Sequence, residues 1–177
     1  MITLAATPIL ETERLLLRAP EGGDWPAFDA FLASDRAAFV RSVDYSEAIS
    51  WRAWGHVIGH WAMRGFGTFV ITRRDDRRAI GMCGPWFPAT WPEPEIGWTL
   101  WDAGAEGAGY AREAARATIA HAFGPLGWQT AVSYIAPANA RSIALAERLG
   151  ARLDPAAAHP GDEPTLVFRH PKTEARE

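Results

Sequence analysis

The sequence contains one cysteine, Cys83, among 177 residues. A lone thiol can close no disulfide within the chain and no cysteine-based zinc cluster, so neither an oxidising compartment nor a structural metal is implied. Long apolar runs are missing too. No stretch approaches the roughly 18 uninterrupted apolar residues of a membrane helix. The start, Met1 to Leu10, has no basic leader, and Thr3, Thr7 and Pro8 interrupt its apolar residues. The expectation is a cytoplasmic protein with no membrane partner. Neither charge sign dominates: 18 basic residues face 21 acidic ones for a net charge of -3, and the pI is about 6.0. Nucleic-acid binders commonly lie above a pI of roughly 9, so nucleic acid is not the expected partner. With 16 glycines and 13 prolines, the chain also falls well short of the roughly 25–30% share of these residues that marks disorder.

What is present suits a packed core. Apolar residues make up 48% of the chain, and its length is that of one domain, expected to span 1–177. Nine tryptophans, spread from Trp25 to Trp128, point to aromatic core and pocket walls rather than one stacking platform. The pattern predicts a first strand within Ile9–Arg18 and a helix from an Asp24 cap to about Ser34. A second helix is predicted from a Ser46 cap through Trp51, Trp54, Val57, Ile58 and Trp61 to Gly65. A hairpin follows, with strands over 66–72 and 79–84 and a solvated tip of arginines and aspartates. Four prolines between Pro85 and Pro94 predict a loop whose Trp86, Phe87 and Trp91 are free to line something. Then come a strand over 95–101, a glycine turn over 104–109 and a helix over 110–123. A strand over 130–135, a helix over 139–149 and a last strand at 166–168 complete the pattern, with a frayed end from Lys172. Strands before and between helices define a mixed α/β (α+β) class around one sheet.

The glycine turn carries the chemistry. A strand followed by Gly104-Ala105-Glu106-Gly107-Ala108-Gly109 and then a helix leaves backbone N–H groups free at a helix N-terminus, with no Cβ in the way of an anion. A P-loop would require Lys and then Ser or Thr after the last glycine, where this chain has Tyr110 and Ala111. A dinucleotide fold would require an acidic residue about 20 positions on, and none lies between Glu113 and Glu147. The pyrophosphate of coenzyme A is the common ligand that remains. A turn that merely lets strand and helix pack is the alternative.

Four pieces in order resemble the GNAT N-acetyltransferases, in particular the branch that includes ribosomal-protein N-terminal acetyltransferases. Glu11-Thr12-Glu13-Arg14-Leu15 with Leu17-Arg18 resembles the opening strand, and Glu95-Ile96-Gly97-Trp98 the fourth. Gly107-Ala108-Gly109-Tyr110-Ala111 with Glu113-Ala114 resembles the pyrophosphate loop and its helix. Pro137-Ala138-Asn139, Ser142 and Leu149-Gly150 resemble the last helix. The resemblance covers about residues 9–152. It implies a central, mostly antiparallel sheet, splayed between the fourth and fifth strands and flanked by helices, with acetyl-CoA as co-substrate and no metal. Leu100 and Trp101 would then meet the pantetheine arm, and Glu106, Gly107, Gly109, Tyr110 and Ala111 the pyrophosphate. Asn139 and Ser142 would face the thioester. Two departures stand out: Gly104 occupies a position usually held by Gln or Arg, and Leu145 and its neighbours replace the usual tyrosine acid, leaving Ser142 as the available hydroxyl.

Acetyl transfer to an amine needs a neutral amine, a polarised carbonyl and a proton for the departing thiolate. At pH 7 about one-sixth of an α-amine of pKa ~7.7 is neutral, against about one in 2,500 for a lysine. Glu95 is the candidate base, directly or through water, with Glu93 as its rival. Ser142 is the candidate acid, with helix capping as its alternative role. Arg112 and Arg116, one helical turn apart, are placed to reach the adenosine phosphate. His56 and His60 are four residues apart with no third ligand in view, and Cys83 reads as inert core. The acceptor is either a protein N-terminal amine or a small-molecule amine. The alternative is a non-catalytic acyl-CoA-binding or interaction module, and a monomer or a homodimer fits equally.

Overall fold

A computed structural model describes residues 4, 6–41 and 44–172. Of the C-terminal end expected to fray, residues 173–177 therefore lie outside the described part. Eight strands form one sheet in the order β1-β2-β3-β4-β5-β6-β8-β7. The first two are β1 (Leu10–Glu11) and β2 (Leu15–Arg18), paired antiparallel where one strand was expected. The reason is local: the Thr12 hydroxyl accepts the Leu15 N–H at 3.0 Å and the Thr12 N–H donates to the Leu15 carbonyl at 3.0 Å, which reverses the chain.

β2 continues antiparallel into β3 (Phe69–Arg73), then β4 (Ala79–Trp86), then β5 (Glu95–Leu100). Pro85 and Trp86, expected in a loop, extend β4 and pair with Ile96 and Glu95. Pro85 is tolerated because β3 ends opposite Cys83, so no ladder partner awaits its missing N–H. Close approach of β4 and β5 needs a glycine at 81, where a Cβ would come within 2.2 Å of the Thr99 carbonyl oxygen.

α1 (Trp25–Leu32) and α2 (Glu47–Arg64) cover one face of the sheet. Ser46 caps α2 by accepting the Ile49 N–H at 3.3 Å, and Gly65, with φ 75°, ends it. Asp24 makes no side-chain cap on α1. Its buried carboxylate is instead taken by the Arg18 guanidinium at 2.7 and 2.8 Å and by the Glu21 N–H at 2.9 Å. The other face carries α3 (Tyr110–Phe123) and α4 (Ala140–Arg148).

β5 and β6 (Val132–Ile135) run parallel but register through a single pair, Glu95 with Val132. Beyond it the strands part, and the Ser133 hydroxyl spans the opening to the Ile96 carbonyl at 2.6 Å. That hydroxyl also meets His170 Nε2 at 2.9 Å. Burial pushes the His170 imidazole down to about 4. With the hydroxyl proton committed to Ile96, His170 Nε2 is the donor to Ser133. β8 (Leu166–Arg169) pairs with β6, and β7 (Arg152–Leu153), a two-residue edge strand that the sequence did not announce, pairs with β8. Trp98 packs beside three of the four core clusters at the point where β5 and β6 separate. No helix among the described residues is long and apolar enough to cross a membrane.

Candidate active site

The parting of β5 from β6 opens a cleft of about 870 Å³. Its walls are the end of β5, the 105–112 turn, the first half of α4 and the segment after α1 that carries Asp35, Arg36, Phe39 and Val40. Of the residues expected at the cofactor, Leu100, Glu106, Gly107, Gly109, Tyr110, Ala111, Asn139 and Ser142 line this cleft. Trp101 does not. It is buried among Phe28 and Trp54, with ring centroids at 5.7 and 5.9 Å, because its side chain alternates to the face under α1 and α2.

The turn is shaped for an anion. Gly107 and Gly109 have φ of 76° and 84°, a region costly for any residue with a Cβ, and a Cβ at Gly107 would meet nothing within 4 Å. The N–H of Glu106 is bonded to the Ala103 carbonyl and that of Glu113 to the Gly109 carbonyl. Among the described residues, the N–H groups of 107–112 between them find no protein acceptor. This leaves a ladder of donors at the positive end of α3.

The turn is held from behind by the chain's first hairpin. Arg14 donates through Nε to Glu113 at 2.7 Å and through its terminal nitrogen to the Ala108 carbonyl at 2.9 Å, and its guanidinium lies 4.6 Å from the Tyr110 ring centre. The Thr12 hydroxyl donates to Glu113 at 2.6 Å. Thr12, Arg14 and Glu113 each fall in one of the family-like segments of the sequence. That they form one clamp, 99 positions apart along the chain, is legible only in three dimensions.

Glu106 faces two arginines. Arg36 reaches it at 2.5 Å, and Arg141 of α4 pairs with its other oxygen. The Arg36 guanidinium holds the Glu106 carboxyl below the usual range, with Arg141 assisting. Arg36 also donates to the Leu100 and Trp101 carbonyls at 2.8 and 2.6 Å. It lies in a short 310 turn whose sequence carries no motif, and sequence reasoning missed it.

At α4, Asn139 is the N-cap and its side chain accepts the Ser142 N–H at 3.2 Å. The Ser142 hydroxyl oxygen accepts the Trp98 indole N–H at 3.2 Å. The serine thus keeps its own hydroxyl proton free while lining the cleft.

Glu95 lies outside that cleft wall, at the start of β5 beside the last pair with β6. One carboxylate oxygen accepts the Trp91 indole N–H at 2.6 Å. The other lies over Gly97, 3.5 Å from where a Cβ would stand, and meets no protein donor among the described residues. Burial pushes the Glu95 carboxyl up to about 7, the Trp91 N–H pulling against it. Glu93 is differently placed. Arg169 binds both its oxygens, at 2.6 and 2.9 Å, Thr130 donates to it at 3.1 Å, and these bonds hold its carboxyl below the usual range. Its lone pairs are engaged in joining the Glu93 loop to β8.

Of the loop aromatics, only Trp91 reaches this site. Trp86 stacks on His60 at 4.4 Å, and Phe87 lies under the Arg64 guanidinium at 5.1 Å. His60 is tied at both nitrogens: Nε2 accepts the Phe87 N–H and Nδ1 meets the Phe66 carbonyl, each at 2.9 Å. Cys83 is fully buried against Thr118 at 3.4 Å, and burial pushes its thiol up to about 12.

The chain matches the family model of the acetyltransferase (GNAT) domain over residues 14–152. It is 38% identical to an acetyltransferase from Agrobacterium tumefaciens strain C58, with a TM-score of 0.87 over 96% of this chain and 98% of that one. Two more distant structures share the fold. An acetyltransferase of the GNAT family from Bacillus anthracis is 22% identical with a TM-score of 0.72, covering 92% of this chain and 96% of that one. RimL, the ribosomal L7/L12 α-N-protein acetyltransferase, in complex with coenzyme A, is 21% identical with a TM-score of 0.70 over the same shares, 92% and 96%. The chain belongs to the GNAT acetyltransferases, enzymes that use an acyl-CoA.

Proposed function

We propose that this protein transfers acetyl from acetyl-CoA to a primary amine by direct attack on the thioester. The observation that carries the reading is the ladder of unpaired N–H groups at 107–112 opening on the cleft where β5 and β6 part. In this reading the ladder binds the pyrophosphate, and the parted edge of β5 leads the pantetheine arm toward Trp98 and Ser142. The 870 Å³ of the cleft suits a ligand of that size.

The free oxygen of Glu95 takes a proton from the incoming ammonium, directly or through one water. The amine nitrogen then bonds to the acetyl carbon and the carbon–sulfur bond breaks; the second proton shed by that nitrogen reaches the departing sulfur through the Ser142 hydroxyl, which gives up its own proton and is reprotonated, so coenzyme A leaves as the thiol. A carboxylate with a pKa of about 7 is half ionised near neutrality. That matches it to an amine of pKa near 8, a protein N-terminus or a small-molecule amine of similar basicity, better than to a lysine near 10.4.

Thiol release from acetyl-CoA, measured at pH 7 against small amines and peptides with free or blocked N-termini, tests the reading. Activity is expected with acceptors of near-neutral pKa and a fall of at least about tenfold with lysine-like amines. Release with no free amine in the panel would refute it.

A further inference from the structure

We propose that Ser133, held in place by His170, is a positioning residue for acetyl transfer: it caps the Ile96 carbonyl and so fixes how far along β5 the thioester can sit. This inference rests on the acetyl-CoA reading above. In an antiparallel ladder the backbone groups of successive residues point alternately toward the neighbouring strand and away from it. The Trp101 N–H donates to the Ile80 carbonyl of β4 at 2.7 Å, and the Pro94 carbonyl accepts the Val132 N–H of β6 at 3.0 Å. Ile96, Trp98 and Leu100 therefore turn their N–H and C=O groups toward the edge that parts from β6.

That edge is bounded by side chains at both ends. The Ile96 carbonyl is taken by the Ser133 hydroxyl at 2.6 Å, and the Leu100 carbonyl by Arg36 at 2.8 Å. Between them, among the described residues, the Trp98 N–H, the Trp98 carbonyl and the Leu100 N–H meet no protein partner. An extended ligand carrying amides can add to those three groups as a strand adds to a sheet edge. Sliding by one repeat, about 6–7 Å, would bring it onto a carbonyl that is already occupied. Reacting atoms must approach to roughly 3–3.5 Å, so such a slip would end the reaction. At the Ser133 end the first free group is a donor, the Trp98 N–H. A thioester carbonyl oxygen arriving there faces no exposed lone pair of Ile96.

Ser133 is itself fixed. Its oxygen gives its proton to Ile96 and accepts the His170 Nε2–H at 2.9 Å, so the hydroxyl is not free to turn elsewhere. Both residues are buried, at 2% and 3% exposure. Among the described residues His170 Nδ1 is buried without a partner, which costs stability that an apolar side chain at 170 would keep. The His170 ring also stands edge-on to Trp98, with centroids 6.3 Å apart, and the Trp98 indole holds the Ser142 hydroxyl. The pair thus reaches both the edge that receives the thioester and the hydroxyl assigned to the sulfur.

Steady-state kinetics with the best acceptor of the panel above, calorimetry, and infrared spectra of acetyl-CoA carrying carbon-13 at the acetyl carbonyl test this. Ser133→Ala should lower kcat at least about tenfold, less than the roughly 10²–10³ lost with a direct donor. Its affinity for coenzyme A, which has no acyl carbonyl, should stay within about twofold of the parent. The bound thioester carbonyl should give one shifted band in the parent and a broader band, displaced toward that of free acetyl-CoA, in the variant. Ser133→Thr keeps a hydroxyl, and the amide of His170→Gln can donate as Nε2 does; both should recover most of the loss, while His170→Leu should not. Circular dichroism checks folding, and Ser133→Cys, close in size and a weak donor, takes the place of the Ala variant if that one does not fold. An unchanged kcat or an unchanged carbonyl band in the folded variant would overturn the proposal. So would a parallel loss of kcat and coenzyme A affinity, which would make the pair a strut of the sheet only. Failure of the parent to bind acetyl-CoA would instead refute the reading on which the proposal rests.

Discussion

Glu95 pulls stability and function in opposite directions. Its carboxyl, pushed up to about 7 from an ordinary 4.5, holds its proton more tightly in the folded than in the unfolded chain. Between pH 4.5 and 7 the unfolded state releases that proton while the folded state keeps it, so this group makes stability fall as pH rises. Glu95→Gln should therefore be more stable than the parent at pH 8, by up to roughly 3 kcal/mol. The gain should vanish below about pH 4.5, and thermal melts across that range check it. Catalysis should move the other way. The parent rate should rise with pH through about 7 as Glu95 ionises. Glu95→Gln should lose that limb, fall by about 10² at pH 7 and recover partly toward pH 9 as the amine deprotonates itself. A variant profile that overlays the parent would remove Glu95 from the reaction. Ser142 offers a cleaner separation, because Asn139 caps α4 through the Ser142 backbone and not its hydroxyl. Ser142→Ala should leave the helix intact and lower kcat about tenfold, with KM within about twofold. Unchanged single-turnover rates would confine the hydroxyl to its bond with Trp98.

At the scale of elements, the 107–112 turn is shaped from outside itself. Its glycines permit the conformation, but the β1–β2 hairpin fixes it, through Arg14 on Ala108, Tyr110 and Glu113. Hydrogen bonds to charged groups are worth about 1.5–3 kcal/mol each. Arg14→Ala should thus raise KM for acetyl-CoA by about tenfold while kcat changes less than threefold, since the clamp touches no reacting atom. Steady-state kinetics with varied acetyl-CoA decides this, and an unchanged KM would mean the turn holds its shape alone. The hairpin tip at 73–78 shows the contrast. There Arg73 and Asp75 pair in solvent, an arrangement that typically contributes little.

Across the whole molecule, the cleft lies on the seam between two halves of the sheet. β1 to β5 form one antiparallel unit and β6, β8 and β7 another, joined by the Glu95–Val132 pair, the Ser133 bond to Ile96 and the packing of Trp98. A ligand seated on both the 107–112 turn and the start of α4 would staple these halves. At 100 times its Kd, acetyl-CoA should add about 2.7 kcal/mol, a rise of roughly 5–10 °C in Tm for a chain of this size. Hydrogen exchange should slow in both 105–113 and 139–146. Protection confined to the turn would show that the second half takes no part in binding.

Much of this was legible in the order of residues, for a physical reason: caps, glycines and periodicity act within a few positions. Ser46 to Gly65 delimits α2, Gly109 opens α3, Asn139 opens α4, and the run of free N–H groups at 107–112 follows from glycines before a helix. The exclusion of P-loop and dinucleotide chemistry needed only spacing. What required the folded chain depends on side chains meeting across long separations. Pro85 and Trp86 extend β4 because β5 is there to pair with them. Trp101 turns into the core and not the cleft. Arg36, in a segment with no motif, reaches Glu106 70 positions away. Glu93 and Glu95, two residues apart and alike on paper, part company because Arg169 binds one while burial beside Trp91 raises the pKa of the other. Sequence determined which groups could bind phosphate and move protons; tertiary structure decided which of them stand free to do so, because solvation and pairing are set by neighbours distant along the chain.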